Sequence, residues 1–204
     1  MSNKVRYLAL GDSYTIGEGL PVEESFPYQT AARMREKGEP FADPEIVAVT
    51  GWTTDELEAG IAAAAPKGAF DFVSLLIGVN NQYRGRHVEN YREEFKGLLE
   101  KAIHFANNEH SRVVVLSIPD WGVTPFAEGR DRVKIAEEID HFNRAARDIC
   151  QGRGVDFLDI TCSTRENGSQ TEYLAPDGLH PSGKEYAIWA QKLARIFADR
   201  AERI

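Results

Sequence analysis

The chain has 204 residues, 42% of them hydrophobic and 27% charged, with a formal net charge of −8. A chain of that size buries about 70% of its unfolded surface and needs no disulfide or metal staple, so one globular domain over residues 1–204 is expected. The acidic balance argues against non-specific binding to nucleic acid or anionic membrane, which needs clustered Lys and Arg, and no stretch reaches the roughly 20 apolar residues of a membrane span.

The opening MSNKVRYLALGDSY lacks the apolar run and cleavage site of a signal peptide, so a cytoplasmic location is expected. Residues 5–10 (VRYLAL) read as a first strand, cut off at Gly11-Asp12-Ser13. Residues 24–37 read as a helix closed by Gly38. Residues 45–49 form a second predicted strand, followed by Thr50-Gly51. Thr53 or Thr54 is suited to cap a helix that runs to Ala65 and stops before Pro66. Residues 70–77 (FDFVSLLI) are nearly all apolar, the mark of a strand covered on both faces. Residues 88–107 predict a long helix with Tyr91, Phe95, Leu98, Leu99 and Ala102 on one face. Residues 112–118 (RVVVLSI) predict a fourth strand, 133–151 a helix, 155–160 a fifth strand and 181–203 a last helix, with Pro181 in its first turn. Residues 120–132 (DWGVTPFAEGRDR) read as irregular.

Strands separated by helices imply parallel pairing with right-handed crossovers and a sheet covered on both faces. Ligands in such sheets bind beyond the carboxyl ends of the strands. The residues able to do chemistry fall at those ends. Ser13 follows the first strand; it serves either as a nucleophile or as an ordinary helix cap. Gly51 follows the second, where a glycine lets backbone N–H approach a ligand. Asn80 follows the third, in Gly78-Val79-Asn80-Asn81, and its amide can donate to an oxyanion or simply support a turn. Asp177 and His180 stand three apart in Pro176-Asp177-Gly178-Leu179-His180-Pro181. At that spacing Asp177 can hold one ring nitrogen of His180 and leave the other for Ser13, although an Asp-Gly turn beside a solvated histidine has the same sequence.

The ordered blocks GDSYTIGEG, Gly51, GVNN and DGLH resemble those of the SGNH, or GDSL-type, hydrolase superfamily, and the likeness runs from Gly11 to His180. The resemblance implies a flavodoxin-like three-layer α/β/α sandwich on a five-stranded parallel sheet. It implies that Ser13, Gly51, Asn80 and His180 are the four name-giving positions, with Asp177 completing a triad. Asn81 departs from the pattern, since family members often carry Asp there.

The expected activity is hydrolysis of carboxylic esters, such as small acyl or aryl esters, lysophospholipids or acetylated sugars. No cofactor and no metal are called for. The alternatives are acyl transfer or thioester cleavage by the same residues, and a non-catalytic flavodoxin-like binding module. The first loop holds Asp12 and Glu18, which suits a flavin phosphate poorly. Arg84 is a candidate partner for an acidic group on the substrate, or a plain solvated turn residue. Trp121 and Phe126 are candidates for an acyl pocket, or for packing under their loop. His87, His104, His110 and His141 read as surface residues. Cys150 and Cys162, without zinc-type spacing, read as free thiols of a reducing compartment.

Overall fold

A computed structural model describes residues 4–201, so the expected last turn at 202–203 lies outside the described residues, as do residues 1–3. Five parallel strands form one sheet: β1 (Tyr7–Gly11), β2 (Glu45–Ala48), β3 (Phe72–Leu76), β4 (Val113–Leu116) and β5 (Asp156–Leu158). Their spatial order is β2-β1-β3-β4-β5, the doubly wound order of flavodoxin-like folds. Register runs through Leu8 opposite Glu45, Tyr7 opposite Phe72, Val73 opposite Val113 and Val114 opposite Asp156. The three inner strands are buried at every position, which explains their unbroken apolar runs.

The helices are α1 (Ser13–Ile16), α2 (Phe26–Glu36), α3 (Thr54–Ala64), α4 (Val79–Tyr83), α5 (Val88–Phe105), α6 (Arg132–Arg153), α7 (Thr161–Asn167) and α8 (Gly183–Ala201). Helices α2 and α8 pack together, and α5 packs against both α3 and α6. Beneath α8, Phe197 stacks on Phe72 at 4.3 Å between ring centroids and meets Tyr7 edge-on at 5.2 Å. All three rings are buried, so the final helix is bolted to the sheet by aromatic packing.

The predicted α3 is set by a capping box in which Thr53 and Glu56 satisfy each other's ends. Three short helices, α1, α4 and α7, have too few residues to show a helical repeat in sequence. The last helix starts at Gly183 rather than at Pro181. Pro181 instead bridges Leu174 in a short antiparallel contact, because residues 174–181 fold back on themselves before the helix begins. No helix among the described residues is long and apolar enough to cross a membrane.

Chain reversal at the sheet's switch point positions the site. The connection leaving β1 and the one leaving β3 open between adjacent strands, so Ser13 and Asn80 emerge side by side at their carboxyl ends.

Candidate active site

The turn out of β1 admits no side chain at position 11. A Cβ on Gly11 would stand 2.0 Å from Thr15 Oγ1 and 2.5 Å from the Leu76 carbonyl. Asp12, not Ser13, caps α1: its carboxylate accepts the Tyr14 N–H at 3.0 Å. The Ser13 side chain is thereby released from capping. As the first residue of a helix, Ser13 also has a backbone N–H with no intrahelical acceptor.

The loop before α8 delivers the histidine. Ala175 N donates to the His180 carbonyl at 2.7 Å, closing the fold-back at its base. Asp177 Oδ1 accepts the Leu179 and His180 amides, both at 2.9 Å, which pins its carboxylate. Asp177 Oδ2 lies 2.6 Å from His180 Nδ1, and His180 Nε2 lies 2.9 Å from Ser13 Oγ. A carboxylate only accepts, so Nδ1 carries the imidazole proton and Nε2 presents its lone pair to the serine hydroxyl. Partial burial pushes the Asp177 carboxyl up, but the His180 ring and the two amides outweigh it and hold it below its ordinary value. The Tyr14 ring packs 4.9 Å from the imidazole and both are buried.

Gly51 adopts φ +83, a backbone open to glycine, and its carbonyl is held by Arg84 Nη2 at 2.6 Å. Its N–H has no acceptor among the described residues. The Asn80 amide donates to the Trp52 carbonyl at 3.0 Å and makes only a long contact, 3.4 Å, with Asp12 Oδ2. Asp12 is fully buried. Burial raises its carboxyl to about 7, against the opposing pull of the Tyr14 N–H and the Asn80 amide.

Asn81 has work of its own. Its Oδ1 accepts the Thr54 N–H at 3.1 Å and its Nδ2 donates to Thr54 Oγ1 at 2.6 Å, which leaves the threonine hydroxyl proton for Glu94. An aspartate would need that same proton, so the amide suits this neighbourhood.

Ser13, Gly51, Asn80 and His180 line one cleft of about 180 Å³, together with Tyr14, Thr50, Val79, Tyr83, Trp121, Phe126 and Leu179. Trp121 and Phe126 are therefore cleft wall. The buried Trp121 indole donates to Gln82 at 2.8 Å, and Gln82 donates onward to Glu138 at 2.8 Å. Phe126 N donates to the Gly178 carbonyl at 3.2 Å, tying this wall to the histidine loop. Arg84 is committed to Glu56 and Gly51 rather than free for a substrate.

The sequence places the segment 81–86 beside the site but assigns no role to Gln82 or Tyr83 in it, nor to Asp12. Tyr83 was findable in principle, since it lies three residues after Asn80 and so on the same face once α4 is known to be helical. Of the four remaining histidines, His87, His104 and His141 are exposed and His110 is half-buried, its Nδ1 2.5 Å from the Arg153 carbonyl.

A flavodoxin-like sheet thus carries a hydrogen-bonded line of Ser13, His180 and Asp177 at its switch point. The chain belongs to the GDSL-like lipase/acylhydrolase family, whose sequence model matches residues 9–188, and is thus a GDSL-type esterase/lipase by family. It is similar to the spore germination lipase LipC of Bacillus licheniformis, 23% identical over 97% of this chain and 99% of that protein. Its fold matches the lipase/acylhydrolase of Enterococcus faecalis with a TM-score of 0.72, at 20% identity over 96% of each chain. It also matches an acetylxylan esterase of Geobacillus stearothermophilus with a TM-score of 0.70, at 18% identity over 97% of this chain and 96% of that one.

Proposed function

We propose that the protein hydrolyses carboxylic esters with a short acyl group, using Ser13 as nucleophile, His180 as base and Asp177 as the group that orients it. The single observation carrying this reading is the 2.9 Å approach of His180 Nε2 to Ser13 Oγ within an open cleft. Ser13 Oγ attacks the ester carbonyl as its proton passes to Nε2. The carbonyl oxygen becomes an oxyanion facing the Ser13 and Gly51 N–H groups and the Asn80 amide. Collapse breaks the ester C–O bond, and His180 returns its proton to the departing alkoxide. Water then attacks the acyl-serine with the same base, releasing the acid and restoring Ser13. These steps draw on no cofactor.

For Asn80 to serve, its side-chain amide must turn as one plane toward the oxyanion, moving both the N–H on the long Asp12 contact and the N–H held by the Trp52 carbonyl. The cleft is small, about 180 Å³, and the sequence holds no long apolar insertion to cover a lipid tail, which favours short acyl chains. One sheet and one continuous core support reading the chain as a single domain. Two unbridged cysteines, Cys162 of them exposed, support a reducing compartment, in keeping with a cytoplasmic protein.

Labelling with a fluorophosphonate followed by peptide mapping tests the assignment. The expected adduct is on Ser13 and is lost in Ser13→Ala, with ester turnover falling by at least about 10³-fold. An adduct on another serine, or none on active protein, removes the assignment. In a series of p-nitrophenyl esters, turnover rising steadily beyond octanoate would contradict the short-chain preference.

A further inference from the structure

Against the aromatic wall of the cleft lies an arginine that the reaction above does not use. Arg130 follows Gly129, which sits at φ +75, and its own N–H donates to the Ala127 carbonyl at 3.1 Å. Its guanidinium carbon lies 5.2, 5.4 and 5.8 Å from the ring centroids of Tyr83, Trp121 and Phe126. Those three rings are the aromatic wall of the cleft that holds Ser13 and His180. Nη2 donates to the Tyr83 hydroxyl at 3.2 Å.

A guanidinium has five N–H donors in a planar fork. Arg130 spends one on Tyr83 and forms no ion pair with a carboxylate among the described residues. The neighbouring cations are engaged: Arg84 with Glu56, Arg86 with Asp55, and Arg132 with the Val123 and Thr124 carbonyls. Arg130 thus keeps its charge in a chain of net charge −8, and the aromatic faces hold it in place without neutralising it. The Tyr83 hydroxyl, having accepted from Arg130, keeps its own proton to donate. A fork and a phenol side by side match a carboxylate. A phosphate dianion would ask for a second free cation, and the described residues beside Arg130 supply none.

We propose that Arg130 and the Tyr83 hydroxyl form a carboxylate subsite, so that the preferred esters carry a carboxylate a few bonds from the scissile carbonyl. This rests on the hydrolase reading and narrows its substrate class. The carboxylate sits either on the acyl half, as in a half-ester of a short dicarboxylic acid, or on the alcohol half.

Two pairs of substrates decide the matter. Mono-p-nitrophenyl glutarate against p-nitrophenyl valerate places the charge on the acyl side; 4-acetoxybenzoate against phenyl acetate places it on the alcohol side. For each pair the ratio of kcat/KM, charged over neutral, is measured in the parent protein and in Arg130→Gln, which cancels intrinsic reactivity. In one pair the ratio is expected to fall about tenfold or more in Arg130→Gln, and to be partly kept in Arg130→Lys. In the parent protein the same ratio is expected to fall as salt rises from 20 to roughly 500 mM. The salt titration serves by itself should Arg130→Gln fail to fold. A ratio unaltered in both pairs, including a uniform loss on charged and neutral esters alike, overturns the subsite. Failure of the parent protein to turn over even the neutral esters is a different result and overturns the hydrolase reading beneath it.

Discussion

Asp12 is a fully buried carboxyl whose described partners are the Tyr14 N–H and the Asn80 amide. Burial raises it from 3.8 to about 7, so between those values the folded protein binds a proton that the unfolded chain has released. Stability therefore falls as pH rises from about 4 to about 7 and then levels, the reverse of the usual carboxylate behaviour. Urea unfolding at pH 5 and pH 8 should show this slope, and Asp12→Asn should flatten it; an equal slope in the variant would exclude Asp12 as its source. Asp177 behaves in the opposite sense, because hydrogen bonds favour its charged form. In Asp177→Asn the amide can accept but no longer favours the Nδ1-protonated tautomer or a positive ring. We expect kcat to drop on the order of 10²- to 10⁴-fold with KM little altered, measured on a p-nitrophenyl ester. A loss confined to KM would assign Asp177 to substrate binding instead.

The element ends decide how much freedom each group has. At the end of β2, a methyl on Gly51 would find its nearest neighbour, Arg84 Nη2, at 3.6 Å, so Gly51→Ala has room for its side chain. Its cost comes from φ +83, about 1–2 kcal/mol for a residue with a Cβ. Relief of that strain moves the Gly51 N–H, and kcat is expected to fall about tenfold or more, since an oxyanion donor acts only when aimed. The turn after β1 fails differently: at Gly11 the clash is with backbone and a buried side chain, so a substitution there threatens the fold itself. On the irregular segment after β4, Trp121 is held by Gln82 and closes the cleft. Trp121→Ala should shift the p-nitrophenyl chain-length optimum to longer acids, whereas an unchanged profile would place the acyl group elsewhere.

Across the whole molecule, the sheet order brings the first turn and the last loop together over a separation of 167 residues. That closure depends on α8 being seated. Phe197, buried against Tyr7, Phe41 and Phe72, is its anchor. Phe197→Ala should cost about 3–5 kcal/mol, read as a lower urea midpoint at unchanged slope. The five strands and the five longer helices were legible because each repeats its apolar pattern over enough residues to expose its period. The candidate site residues Ser13, Gly51 and Asn80 were legible for another reason, as small or polar residues just past strand ends that break the apolar runs before them, and Asp177 and His180 by their spacing of three in the turn before the last helix. Helices α1, α4 and α7 were not legible, being one or two turns too short to show a period, and only α1 has a side-chain cap.

By itself, then, the sequence determined the class of fold, the layer pattern and the family, because these rest on local hydrophobic period and on short motifs kept in order. Tertiary structure alone decided which partner each polar group meets. It tied Arg84 to Gly51 and Glu56, left Arg130 over three rings at the rim, and turned Trp121 and Phe126 into a wall. Those outcomes follow from distances between residues far apart in the chain, and a linear pattern carries the types of such side chains but not the directions in which they point.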